Sequence, residues 1–296
     1  MIKSFFNQHG IEFEENASLK NHNTYKIAAT CNYLVFPKDE EELIAILKEI
    51  KKENLKYLVL GNGSNIILAK ENYDGVIIKL DHLNEVKYNH HIVTAGAGYS
   101  LIKLAVETIE RGLSGLEFAA GIPGCVGAST AMNAGAYNSD MATVVKEARV
   151  LTPDLEIKTL TNHDLAYEYR DSFLKKHPEY IVLSTTIELT DGNPEAMHAQ
   201  IIERRMKRQA SQPLNMPSAG SVFRNPEGMY AGQLIEDLNL KGFSIGGAKV
   251  SEKHANFIVN NGNATGEDVI KLINKIQKDV KEKYNVNLKL EQIIIE

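Results

Sequence analysis

The segment LGNGSN, residues 60–65, carries two glycines two positions apart, Gly61 and Gly63, among Asn62, Ser64 and Asn65. Successive backbone N–H groups in such a run form a concave nest for an anion, a phosphate above all. The same composition also builds a tight Asn/Gly turn between strands. It is not the dinucleotide fingerprint, because Ile66 stands at the third glycine position and IILA follows in place of a helix. Nor is it a P-loop, since no Gly-Lys-Ser/Thr follows. A second run, AGIPGCVG at 120–127, spaces Gly121, Gly124 and Gly127 by three around Ile122 and Pro123, and Ser129, Asn133 and Gly135 come after it. Glycines at this density let the main chain approach a ligand, or another stretch of chain, very closely. Two such loops in one chain fit a long, bent dinucleotide, and a tight core crossing is the other reading of the second.

Four further places hold side chains with chemical potential. Arg170, in YEYRDS, can hold a carboxylate or simply pair with Glu168 or Asp171. SAGSVFRNP, residues 218–226, sets Ser221, Arg224 and Asn225 in a compact turn; without a G-x-S-x-G elbow it does not suggest a serine hydrolase. In VSEKHANFIVN, residues 250–260, His254 and Asn256 stand at the start of a strand with no second histidine or carboxylate cluster, so no metal is expected. Glu291 follows Leu290 and faces away from the apolar side that Val286, Leu288 and Leu290 would share on a strand.

The elements that must carry these residues are readable in outline. Asp39 with Glu42 three residues on signals a helix start, and Leu43, Ile46, Leu47 and Ile50 form its inner face. Strands are expected at 57–60, 76–80, 92–95, 148–151, 181–189 and 256–260, and at 286–290 by alternation. Ser100 opens a helix that Gly112 stops, and Thr265 caps another with Glu267 and Asp268 in its first turn. A helix over about 195–209 would use Ile201, Ile202 and Met206 as its apolar stripe, and a short one is expected around 232–238. SQPLNMP, residues 211–217, with two prolines and no periodicity, is the expected junction. Helices and strands mix without a βαβα rhythm, which favours α+β over a doubly wound sheet.

Composition narrows the function. The 296 residues carry 33 Lys+Arg against 38 Asp+Glu, a net charge of −5, with 43% apolar residues. That excludes disorder as a main theme, and the acidic balance argues against a nucleic-acid partner. The uncharged stretch 118–139 is long enough to span a bilayer, but its glycines, Pro123 and Asn133 would strand backbone groups in lipid. It reads as a buried glycine-rich loop, so no membrane partner is expected. Cys31 and Cys125 make no C-x-x-C pair, and the first residues lack the apolar core of a signal peptide, which together suggest a reduced, cytoplasmic protein. Arg170, Arg204, Arg205, Lys207, Arg208 and Arg224 would concentrate positive charge near the junction.

Taken in order, GNGSN, GIPGCVGA…MNAGAY, YRDS, PSAGSVFRNP and AGQLIEDLNLKG…GGAKVSEKHANFIVN resemble the UDP-N-acetylenolpyruvoylglucosamine reductases, in their shorter type, over nearly the whole chain. The resemblance implies a vanillyl-alcohol-oxidase-like (PCMH-type) FAD-binding region of two lobes, 1–80 and 81–210, and a C-terminal α/β substrate-binding domain, 211–296, with the return of its last strand to the first lobe left open. It implies non-covalent FAD, NADPH as co-substrate, and a UDP-sugar enolpyruvyl ether reduced to UDP-N-acetylmuramate in peptidoglycan synthesis. No oligomer is implied. By the same resemblance Ser221 is the proton donor, and Arg170 and Glu291 polarise the substrate carboxylate. FAD contacts fall on Gly61, Asn62, Gly63, Ser64, Asn65, Gly121, Ile122, Gly124, Gly127, Ser129 and Arg224, and substrate contacts on Arg208, Asn225 and His254. The chain departs from the pattern at Ala28 and Ala29, where Gly-Gly is common, and at Ser211, where a lysine is common; Arg208 or Lys207 could substitute. A flavin oxidase of the same fold and a non-catalytic nucleotide-binding module are the other function classes these loops allow.

Overall fold

A computed structural model describes residues Met1–Glu296. The chain forms two compact units, one of Met1–Glu15, Tyr33–Gly61 and Gly75–Arg205, the other of Asn16–Asn32, Asn62–Asp74 and Met206–Glu296. The architecture is α+β.

In the first unit, helix Glu40–Lys52 starts where Asp39 Oδ1 accepts the Glu42 amide at 2.8 Å, and Glu42 in turn takes the Lys38 amide at 2.7 Å. Its inner residues Leu43, Ile46, Leu47 and Ile50 are completely buried, each worth about 2 kcal/mol of transfer free energy. Arg149 grips Glu40 with two bonds of 2.7 and 2.9 Å, tying this helix to strand Val145–Leu151. That strand belongs to a five-stranded antiparallel sheet ordered Ile157–Thr161, Val145–Leu151, Ile181–Glu188, Ile92–Gly96, Val86–Asn89. Strands Tyr57–Val59 and Asn72–Ile78 pair in parallel, which the crossover between them permits.

The stretch expected as a loop at 118–139 contains helix Val126–Met132, packed on Ile181–Glu188 through a buried Thr130–Thr185 hydroxyl bond of 2.8 Å. It ends at Asn133, whose φ of 46° reverses the chain as an asparagine tolerates. The long helix is Pro194–Ser211, and its expected stripe is not a buried face: Met197 is buried, while Ile202 and Met206 are 57% and 64% exposed.

In the second unit, an antiparallel sheet of Ser244–Ile245, Ala248–Val250 and Ile258–Asn260 is covered by helix Gly266–Tyr284. Thr265 and Asp268 close a reciprocal capping box at its start, with bonds of 3.1 and 3.0 Å. Gly266 lies so close to Leu68 that a Cβ would fall 1.7 Å from the Leu68 carbonyl oxygen. The strand expected at 286–290 forms instead at Ile293–Ile295, parallel to Ile66–Leu68. Pairing across the sequence, not local alternation, decides its position.

Candidate active site

In the second unit, residues 221–224 run between two other segments as an irregular ladder. Ser221 bridges Phe257, the Val222 amide donates to the Asn256 carbonyl at 2.9 Å, and Asn256 clasps Phe223 through both its amide atoms. On the other side the Glu291 amide donates to the Val222 carbonyl at 2.9 Å, and the Arg224 amide to that of Lys289. Ser221 and Glu291 thus sit on adjoining strands, both half-buried. Gly220, immediately before the serine, has a φ of 75°, a left-handed conformation that L side chains adopt only with strain.

Asn65, the last residue of the GNGSN loop, joins this group. Its side-chain amide donates to the Glu291 carbonyl at 3.1 Å, and its own carbonyl accepts from the Ile293 amide at 3.0 Å. Gly63 is required for a different reason: at φ 63°, a Cβ there would lie 2.1 Å from the His22 carbonyl oxygen. The Thr24 amide and hydroxyl both bond the Gly63 carbonyl. The amides of Gly63, Ser64 and Asn65 donate to no backbone carbonyl of their own unit, which leaves the nest of donors read from the sequence.

Arg208, Asn225 and His254 each have a structural partner. Arg208 Nε bonds Gln212 Oε1 at 3.0 Å near the end of the long helix, where Ser211 Oγ takes up the Lys207 carbonyl. Asn225 Oδ1 accepts the Ala231 amide at 3.1 Å, holding the start of helix Ala231–Glu236. His254 Nδ1 accepts the Asn256 amide at 3.2 Å, so the ring proton resides on Nε2. Burial, then the nearby Lys241 charge, pushes its pKa down and keeps the imidazole neutral.

In the first unit, Arg170 occupies a turn closed by paired backbone bonds between Glu168 and Asp171, at φ 55°. Its guanidinium donates to the Gly135 carbonyl and stands 5.1 Å from the Tyr169 ring centre. Asn133, 1% exposed, buttresses the turn by donating to the Glu168 carbonyl at 2.8 Å. Gly61 rests on the Val126 helix, where a Cβ would meet Cys125 Sγ at 2.9 Å and Ala128 Cβ at 3.0 Å. Lys79 Nζ donates to the Gly61 carbonyl at 2.9 Å and lies 3.3 Å from Asp81. This ammonium is a buried cation that sequence reasoning missed; its only signal is a lysine inside the apolar strand sequence GVIIKL.

The second glycine run is arranged differently. A Cβ at Gly127 would lie 2.7 Å from Ala97 Cβ, and one at Gly124 2.7 Å from Ser129 Oγ. The amides of Ile122, Gly124, Gly127 and Ser129 donate to the carbonyls of Ala119, Ile122, Ala97 and Cys125. Any ligand contact from these four positions therefore uses carbonyls or side-chain surface.

Comparison with known proteins identifies the family. Residues 31–161 match the family described as FAD binding domain, and residues 212–295 the C-terminal domain of UDP-N-acetylenolpyruvoylglucosamine reductase. The UDP-N-acetylenolpyruvoylglucosamine reductase of Bacillus pumilus is 43% identical over 95% of this chain and 93% of its own length. That of Clostridium perfringens strain SM101 is 41% identical over 100% of this chain and 96% of its own. The crystal structure of the Thermus caldophilus enzyme superposes with a TM-score of 0.81 at 32% identity, covering 97% of this chain and 99% of that one. The chain belongs to the UDP-N-acetylenolpyruvoylglucosamine reductase family.

Proposed function

We propose that this protein reduces UDP-N-acetylglucosamine enolpyruvate to UDP-N-acetylmuramate with FAD as cofactor and NADPH as reductant, a step of peptidoglycan synthesis. The observation that carries the reading is the family relationship along the full chain, joined to the adjacency of Ser221, Glu291 and Asn65.

The residues present suit FAD. Open amides at Gly63, Ser64 and Asn65, in a loop without acidic side chains, are the donor set a diphosphate requires; in the first unit the buried Lys79 ammonium holds the Gly61 carbonyl. Gly61, Asn62, Gly63, Ser64 and Asn65 would hold that group, with Gly121, Ile122, Gly124, Gly127, Ser129 and Arg224 contributing further contacts. Bound there, FAD would supply the hydride chemistry that links NADPH to the methylene carbon of the enolpyruvyl group.

The chain's own residues do the rest. Arg170, preset by the Gly135 carbonyl and the Tyr169 ring, meets the charge that develops on the substrate carboxylate, and Glu291 assists it. Ser221 delivers the proton to the adjoining carbon and is reprotonated from solvent. Serine is a weak acid, so this step depends on a dry site and a strongly basic carbon. Asn225 has its oxygen engaged, which leaves its amide nitrogen as a donor to substrate, and His254 likewise offers Nε2–H. Arg208 supplies charge for the substrate phosphates. Residues 1–80 and 81–210 serve FAD, and 211–296 serve substrate. No helix is long and apolar enough to cross a membrane; we place the protein in the cytoplasm, where NADPH and nucleotide sugars are, acting on free UDP-sugar and not on nucleic acid.

The test is direct. Purified protein should be yellow and turn over NADPH catalytically only when the enolpyruvyl UDP-sugar is present. Ser221→Ala should still let NADPH bleach the flavin yet abolish its reoxidation by that substrate; normal turnover would remove Ser221 from the mechanism.

A further inference from the structure

Gln292 directly follows Glu291 and is 3% exposed, a buried amide on a strand edge where an apolar residue would cost less. Its donor end and its acceptor end are both engaged. Nε2 donates to the Ala219 carbonyl at 3.0 Å and the Gly220 carbonyl at 3.2 Å, the two peptide groups that lead into Ser221. Oε1 accepts the hydroxyl of Tyr25 at 3.0 Å. Tyr25 is fully buried, and burial raises its pKa so that the hydroxyl keeps its proton and remains a donor.

The network closes on itself. Asn260 Nδ2 donates to the Tyr25 carbonyl at 2.9 Å, the Asn260 amide donates to Pro217 at 2.8 Å, and Asn260 Oδ1 receives the amides of Gly262 and Ala264. Tyr25 is thereby fixed from behind, and it fixes which way the Gln292 amide faces. The pivot is Gly220, whose left-handed φ turns its carbonyl toward Gln292 just before the serine. One side chain therefore sets the backbone entering Ser221, and it grows from the residue after Glu291.

We infer that Gln292, oriented by Tyr25, is a positioning residue that fixes the Ser221 hydroxyl relative to Glu291 for protonation of the substrate carbon. The inference rests on the reaction proposed above. Neither residue touches the reacting atoms; both act through the 219–221 backbone. A shift of about 1 Å in a reacting group can cost on the order of a hundredfold in rate, and loss of the two carbonyl anchors permits movement on that scale.

The experiment follows the two half-reactions of the FAD-loaded enzyme by stopped flow, for wild type, Gln292→Leu, Tyr25→Phe and the double variant. NADPH bleaching of the flavin should be unchanged in all four. Reoxidation by the enolpyruvyl UDP-sugar should slow roughly ten- to a hundredfold in Gln292→Leu and about threefold in Tyr25→Phe. The solvent deuterium effect on that step should rise, because proton delivery becomes limiting. The double variant should be no slower than Gln292→Leu alone, since Tyr25 acts through the amide. Wild-type reoxidation rates with an unchanged solvent effect in Gln292→Leu overturn the inference, as do equal losses in both half-reactions. Should Gln292→Leu not fold, Tyr25→Phe, which loses one hydroxyl, decides by the same two readouts. A wild-type enzyme whose reduced flavin is indifferent to the UDP-sugar overturns the proposed reaction itself, a separate result.

Discussion

The two glycine-rich segments of this chain look alike in sequence and differ in what their backbones are free to do. In GNGSN the amides of Gly63, Ser64 and Asn65 have no carbonyl partner in their unit, while the carbonyls on either side are anchored by Thr24 and Ile293. In the 121–129 run the amides of Ile122, Gly124, Gly127 and Ser129 are all engaged, and the missing Cβ atoms admit Ala97 and Ser129. Glycine density therefore marks close approach of the backbone to something. Whether that something is an anion or the protein itself depends on which amides remain open. The first segment keeps amides open, and the second supports: Cys125 and Ala128 form the floor on which Gly61 lies.

The largest expected effect that tests this contrast is at Gly63. Gly63→Ala forces an L side chain into a left-handed φ, costing about 1–2 kcal/mol, and drives its Cβ into the His22 carbonyl. Thermal unfolding should show the protein severely destabilised or unfolded. A stable Gly63→Ala protein that has merely lost FAD would mean that the glycine serves the ligand alone. Gly127→Ala should cost about 1–3 kcal/mol by overpacking Ala97, yet the folded fraction should keep most of its FAD affinity in a fluorescence titration, because the Gly127 amide is already engaged and only its carbonyl is left to the ligand. A tenfold weaker affinity there would erase the distinction between the segments.

Lys79→Met removes the buried ammonium from the Gly61 carbonyl. FAD affinity should fall about tenfold, equivalent to roughly 1.4 kcal/mol, and become less sensitive to salt, because one attractive charge is gone. An unchanged dissociation constant would show that open amides suffice. The smallest effect concerns Cys125. Burial holds its thiol pKa above the ordinary value, so the thiol stays protonated and shielded at pH 8. Iodoacetamide should label it far more slowly in the native protein than in the denatured chain. Equal rates would mean that the supporting segment opens freely.

Much of the frame was legible because it is written locally. Asp39, Ser100 and Thr265 cap the helices expected of them, each accepting the amide three residues on. The glycine loop after a strand was legible as well, whereas Ser221 and Glu291 were linked only through the family resemblance; it is the 221–224 ladder that sets the two segments side by side. What local pattern could not convey is partnership. The stripe Ile201, Ile202, Met206 has helical spacing, but spacing does not supply a surface to bury it against, and Ile202 and Met206 remain exposed. Val286, Leu288 and Leu290 alternate as a strand would, yet the ladder partner, Ile66–Leu68, lies opposite Ile293–Ile295. Lys79, Tyr25 and Gln292 carry no motif at all. Their importance comes from contacts with residues 18, 267 and, from Gln292 to Gly220, 72 positions away.

Asn65 and Glu291 are separated by 226 positions and joined by a hydrogen bond. During synthesis the ribosome completes the loop more than two hundred residues before it makes the segment that braces it. A nascent chain therefore carries the loop without this brace throughout most of its translation. The brace is made by backbone groups, the Glu291 carbonyl and the Ile293 amide, so the loop reaches its final shape only once residues 291–293 are in place. Closure of this loop is therefore a late, long-range event in folding, whose entropic cost no local motif offsets.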